Sequence, residues 1–321
     1  MRDSFTARLE RLAAADPRIF LITGDLGFGV LDKFEKSFPR QYLNVGVAEQ
    51  NMTGVATGIA MEGRIVFTYS IGNFPTLRCL EQIRNDAAYH DANVKVVAIG
   101  GGFSYGALGM SHHATEDLAI MRALHIPVIA PGCDWEAAEA ADALVEATGT
   151  CYLRLDRASA GSTARSGEKF RLGKARRIRD GEDVTLIATG GILGETLATA
   201  DRLASEKGIN ARVLSMHTVN PLDIDSVIAA ARETGGIVTV EEHTVMGGLG
   251  GAVAEACLDN AVAPRSFARV ALRHGFSSIV GSQEYLRRRY GVDTTAIAVA
   301  AEAVARGVSP TEKAGLLTAH L

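Results

Sequence analysis

The chain has 321 residues, too many for one ordinary hydrophobic core, so two domains are expected. Hydrophobic residues make up 47% and charged residues 22%, and the net charge is −4; no basic stripe interleaved with aromatics suggests a nucleic-acid surface. The longest apolar runs, such as VKVVAIGGGF, are too short to cross a bilayer.

The first twenty residues carry acids among helix-spaced Phe5, Leu9 and Leu12, which predicts a docking helix rather than a signal peptide. RIFLITG (18–24) and QYLNVGV (41–47) read as strands, and a helix is expected from about Glu49 to Met61. RIVFTYS (64–70) is a third strand, followed by a helix over TLRCLEQIRNDAAYH. NVKVVAIGG is a fourth strand, opening into the glycine-rich loop GGFSYGALGMSHHA. TEDLAIMRAL predicts a helix with Thr115 as its cap and Glu116 and Asp117 in its first turn. The strand IPVIAPG, the helix DWEAAEAADALVEA and the strand CYLRLDR complete the first half. Strands without polar alternation, spaced by helices, mean a parallel sheet covered on both faces.

From residue 157 the composition turns to Ser, Gly, Arg and Lys, which predicts a surface linker; the expected units are 1–160, linker 161–182, and 183–321. The second unit repeats the strand and helix alternation through DVTLIATG, ARVLSMH, GGIVTVEEH and RVALRH, and ends in two helices. The expected fold class is therefore α/β, with two parallel-sheet, three-layer domains. Cys79, Cys133, Cys151 and Cys257 show neither CxxC nor metal spacing, which predicts core packing in a reducing, cytoplasmic setting.

Open parallel sheets bind ligands beyond the carboxyl ends of their strands. Gly24-Asp25-Leu26, the Glu49 junction and the loop leading to His112 and His113 all fall there. Each has an ordinary alternative: a strand-end turn, a solvated acid in a first helical turn, surface histidines. GGLGGAVAEA departs from G-x-G-x-x-G and carries little weight as a dinucleotide site.

Taken in order, the segments VGVAEQNM, FTYSIGNFPTLRCLEQIRND, GALGMSHHATEDLAIMRALHIPVIAPG and VTVEEHTVMGGLGGAVAE resemble the C-terminal half of transketolase over nearly the whole chain. The resemblance extends to 1-deoxyxylulose-phosphate synthase and, more distantly, to beta subunits of 2-oxo acid dehydrogenases, which supply the alternative reading. It implies a pyrimidine-binding domain followed by a transketolase C-terminal domain, with thiamine diphosphate bound between this chain and another. The GDG…N motif that holds the diphosphate through Mg²⁺ has no counterpart here, the nearest string being RDGED in the linker. The expectation is a split enzyme: a separate N-terminal subunit supplies the diphosphate and Mg²⁺ site, two copies of each chain form a heterotetramer, and this chain holds no metal.

Carried over residue by residue, the resemblance gives Glu49 the role of sharing a proton with the cofactor's pyrimidine, and places Phe74 against that ring. Ile71 and Leu77 stand at two further aromatic positions of the family, and Asp25 and Leu26 match its Asp-Leu loop near the cofactor. His112 matches the histidine beside the reacting carbon, His113 is its neighbour, and Arg157 matches an arginine that holds a sugar phosphate. Two polar readers of the sugar are replaced, one by Leu108 and one by Gly100. The resemblance implies two-carbon ketol transfer between small sugars, and the two replacements predict an unusual donor or acceptor: a modified sugar, or an acyl group on a carrier.

Overall fold

The computed structural model describes residues 1–273 and 275–308. In the first half, strands β1 (Ile19–Thr23), β2 (Tyr42–Asn44), β3 (Ile65–Ile71), β4 (Val94–Ile99), β5 (Val128–Ile129) and β6 (Cys151–Leu155) are joined by helices α1 (Arg2–Ala15) to α6. The helices after α1 are α2 (Asp32–Ser37), α3 (Glu49–Met61), α4 (Leu80–Gln82), α5 (Asp117–Ala123) and α6 (Asp134–Glu146). β3 and β4 are buried along almost their whole length on both faces, which is why they read as unbroken Val/Ile/Phe runs. On one face Phe5 and Leu9 of α1 meet Phe67 and Leu153; on the other, Met52 and Ala56 of α3 meet Val66 and Val96.

The second half contributes β7 (Arg176–Arg179), β8 (Val184–Ala188), β9 (Ala211–Ser215), β10 (Thr218–Asn220), β11 (Ile237–Thr244) and β12 (Phe267–Leu272). Its helices are α7 (Leu193–Lys207), α8 (Ile224–Glu233), α9 (Leu249–Asp259), α10 (Gln283–Arg289) and α11 (Thr294–Ala305). The sheets are seven-stranded, order β10-β5-β6-β4-β3-β1-β2, and five-stranded, order β12-β11-β8-β9-β7. Both are parallel except for an antiparallel edge strand each: β10 against β5, and β7 against β9. The two three-layer α/β units match the expected fold class, with two local differences. Residues 176–179, read as linker, form an edge strand because Arg176 is anchored by Glu136 at 2.6 Å and Glu168 at 2.8 Å. β10, from the second half, completes the first sheet.

The predicted helix over 76–90 is a 3₁₀ turn, the short α4 and a π segment at Ile83–Ala88. Thr115 does not cap α5: its hydroxyl donates to Glu116 instead, and the helix starts at Asp117. The buried Asp117 carboxylate is not a dipole partner in water, because it accepts from the Tyr152 hydroxyl at 2.6 Å and pairs with Arg154 at 3.2 Å. All four cysteines are buried free thiols. Among the described residues no helix is long and apolar enough to cross a membrane.

Candidate active site

The carboxyl ends of β1, β2, β3, β4 and β6 lie side by side, and the segments singled out in the sequence all emerge from that edge. Glu49 opens α3 just past β2 and is 2% exposed. A side chain at Gly24 would press on it, at 3.2 Å from its Cγ, so a bare backbone after β1 makes room for the acid. Among the described residues the one donor to its carboxylate is Arg78, whose Nη1 lies 2.6 Å from Oε2. The Arg78 guanidinium also covers the Phe74 ring, 4.5 Å from its centre.

The line continues from there. Phe74 meets His112 edge-on at 5.1 Å, His112 faces Tyr105 at 6.5 Å, and the Arg157 guanidinium lies 5.6 Å from the centre of the Tyr105 ring. Beyond Tyr105 opens a cavity of about 160 Å³ whose lining includes Ile99, Tyr105, the cations Arg157 and, from α1, Arg2, and the carboxylates Asp156 and Asp3, the latter accepting from Arg2 Nε at 2.7 Å. Glu49, Phe74, His112 and Arg157, spread over more than a hundred residues of the chain, thus share one continuous surface. Three of its members, Arg78, Tyr105 and Arg2, were not foreseen.

Other expected residues sit around this line. Asp25 adopts a left-handed backbone (φ 57°), fixed by its amide on Asn44 Oδ1 at 3.0 Å, and stands exposed beside β2. Leu26 accepts the Thr23 hydroxyl on its carbonyl. Ile71 is half-buried at the end of β3 and Leu77 is exposed one turn before Glu81. His113 departs from its expected place: it is buried, packed edge-on to Phe103, with Nε2 against the Gly106 carbonyl at 3.2 Å. Its neighbour His112 looks outward because a 3₁₀ turn (Met110–His112) throws consecutive side chains to different sides. Burial, and secondarily His113, lowers the His112 pKa from its ordinary value.

The second unit holds the loop that carries Tyr105 and His112. Glu242 of β11 accepts from the backbone N–H of Phe103, and is clamped by Arg287 Nε at 2.6 Å and Gln283 at 3.0 Å. Arg154, between Asp117 and Asp156, donates to the Glu242 carbonyl at 2.9 Å, so a buried charge network joins both sheets behind the loop. The start of α9 offers no room for a phosphate, since Glu241 already accepts from the N–H groups of Leu249 and Gly250 at 2.7 and 2.8 Å. Among the described residues no group of three or more His, Cys, Asp or Glu is placed to hold a metal.

Open parallel sheets covered by helices, with a polar line along the carboxyl edge of the first, define an α/β protein of the kind that binds a ligand across that edge. The transketolase pyrimidine-binding domain matches residues 1–162 and the transketolase C-terminal domain matches residues 173–297. The chain is 39% identical over 267 residues to an apulose-4-phosphate transketolase subunit from Phocaeicola vulgatus, covering 82% of this chain and 85% of that one. It is 37% identical over 308 residues to the 6-deoxy-6-sulfo-D-fructose transketolase subunit SqwH of a Clostridium species, covering 95% and 94%. A solved structure described as a split gene transketolase, inactive beta4 tetramer, superposes with a TM-score of 0.86 at 32% identity over 95% of this chain and 98% of that one. A 1-deoxy-D-xylulose-5-phosphate synthase from Syntrophotalea carbinolica is also similar, 35% identical over 92% of this chain and 46% of its own length. The chain belongs to the transketolase family.

Proposed function

We propose that this chain is one subunit of a thiamine diphosphate-dependent transketolase, working in the cytoplasm and transferring a two-carbon ketol unit between an anionic ketose and an aldehyde acceptor. The observation that carries the reading is the unbroken line from the buried Glu49 carboxylate through Phe74 and His112 to the Arg157 cavity. A carboxylate with one donor has lone pairs left for a heterocycle's N–H, and Phe74 provides a ring face beside it, so the residues present fit the aminopyrimidine half of the cofactor. Among the described residues there is no ligand set for the Mg²⁺-diphosphate half, which a separate N-terminal subunit would supply. Two copies of each chain then make the working heterotetramer. Relatives named as subunits, and a structural neighbour described as inactive in its beta-only tetramer, support that division.

When bound, thiamine diphosphate supplies the nucleophilic carbon and the electron sink for the ketol unit. Glu49 holds or takes the proton on the pyrimidine nitrogen in a site shielded from water. Arg78 balances the carboxylate's charge. Phe74 positions the ring, with Asp25, Leu26, Ile71 and Leu77 around it. His112, neutral at pH 7, accepts or returns the proton of a substrate hydroxyl next to the reacting carbon. Arg157 and Arg2, on the walls of one cavity, hold the tetrahedral anion at the far end of the sugar. Leu108, 56% exposed, leaves an apolar surface where the family has an acid.

The test is a turnover assay of this chain mixed with a subunit carrying the diphosphate-binding domain, thiamine diphosphate and Mg²⁺. A phosphorylated or sulfonated ketose with an aldehyde acceptor should give a new ketose. Turnover of pyruvate with release of carbon dioxide, and none of the ketose, would reject ketol transfer.

A further inference from the structure

Gly100, where the family carries a histidine, is not an empty place. Its backbone sits at φ +93°, and a Cβ there would lie 2.2 Å from Cδ2 and Cε2 of Tyr105. Position 100 can therefore hold only glycine while the Tyr105 ring stays where it is. That ring lines the same cavity as Arg2 and Arg157, sits beneath the Arg157 guanidinium, and faces His112. Among the described residues nothing hydrogen-bonds its phenol, whereas Tyr152 and Tyr290 donate to Asp117 and Ser277 at 2.6 and 2.7 Å. The cavity's charges are mixed, Arg2 being paired with Asp3 and Asp156 lying on the wall, so an unpartnered phenol beside Arg157 adds a neutral donor for an anion that enters.

On the ketol-transfer reading above, we propose that Tyr105 is a substrate-binding and specificity-determining residue: it fills the volume vacated at Gly100 and donates its phenol to the tetrahedral anionic tail of the sugar, together with Arg157 and Arg2. The substrate class is a ketose ending in phosphate or sulfonate. Gly100 and Tyr105 work as a pair, one supplying the space and the other the side chain, from five positions further along the chain.

The experiment uses the full chain reconstituted with its diphosphate-binding subunit, thiamine diphosphate and Mg²⁺, and glycolaldehyde as the common acceptor. Donors are D-fructose 6-phosphate, 6-deoxy-6-sulfo-D-fructose and hydroxypyruvate, which delivers the same two-carbon unit with loss of carbon dioxide and carries no tail. Tyr105→Phe keeps the ring and removes only the donor. A hydrogen bond to a charged group contributes enough to change binding about tenfold, so kcat/KM for a tailed donor, divided by that for hydroxypyruvate, should fall about tenfold through KM. A fall of threefold or more with either tailed donor supports the proposal, and the donor that responds identifies the tail. A smaller change with both overturns it. If the parent enzyme turns over all three donors and the ratio does not move, Tyr105 alone is misassigned; if the parent turns over none, the ketol-transfer reading fails and this proposal with it.

Discussion

Arg78 donates to Glu49 at 2.6 Å while its guanidinium carbon lies over Phe74, 4.5 Å from the ring centre, so one side chain links the buried acid to the aromatic beside it. Glu49 is almost completely buried and Arg78 is 43% exposed. Breaking a fully buried pair costs about 3–5 kcal/mol, and solvent around Arg78 reduces that. Arg78→Met should therefore destabilise the isolated chain by about 1–2 kcal/mol in urea unfolding, and adding Glu49→Gln should restore most of the loss. Additive single and double variants would show that the pair is uncoupled.

His112 titrates below its ordinary value, because burial and the neighbouring His113 disfavour the imidazolium. The neutral ring persists at pH 7 and is lost only on the acid side of the ordinary imidazole value of about 6.5. In the reconstituted enzyme, kcat/KM should decline on that acid side, and His112→Gln should both abolish the decline and lower kcat/KM at pH 7.5 by about a hundredfold. An acid limb unchanged in His112→Gln would assign it to another group.

His217 is fully buried, stacked on Phe170 at 4.2 Å, and its pKa is lowered to about 4 by desolvation. The unfolded chain takes up this proton near pH 6.5 and the folded chain only near 4. Stability contributed by the neutral ring is thus complete above pH 6.5 and drains away as pH falls toward 4. The loss amounts to roughly 2–3 kcal/mol. Urea unfolding of His217→Gln should show a shallower decline over that window than the parent; parallel curves would contradict the assignment.

Glu242 joins the second unit to the loop that carries Tyr105 and His112 through Arg287, Gln283 and the Phe103 amide. Arg287→Met leaves a buried carboxylate without its cation and should cost about 3–5 kcal/mol. Hydrogen exchange should show faster opening of residues 101–113 in that variant, with β1 and β3 unaffected. Loss of protection spread evenly over the first sheet would argue against a local role.

The buried, non-alternating strands and the glycine turns made both sheets readable and put Asp25, Glu49 and His112 at one edge, while Phe74 and Arg157 were reached only through the family resemblance. Arg78 was hidden because its direction depends on a 3₁₀ turn passing into a π segment, where ordinary helical spacing fails. The vacancy at Gly100 was visible, but its occupant was not, since nothing in a glycine-rich loop says which of its side chains folds back. His113 was misjudged because it faces Phe103 at the buried seam between the two units, where Glu242 reaches Phe103 across 139 positions and Arg154 across 88.

Titration calorimetry of thiamine diphosphate with Mg²⁺ is the most direct examination of a cofactor site divided between two polypeptides. The account predicts no saturable heat with this chain alone, clear saturation with an equimolar mixture of the two subunits, and weaker binding when the mixture contains Glu49→Gln. Saturable micromolar binding by this chain alone, or affinity indifferent to Glu49→Gln, would contradict it.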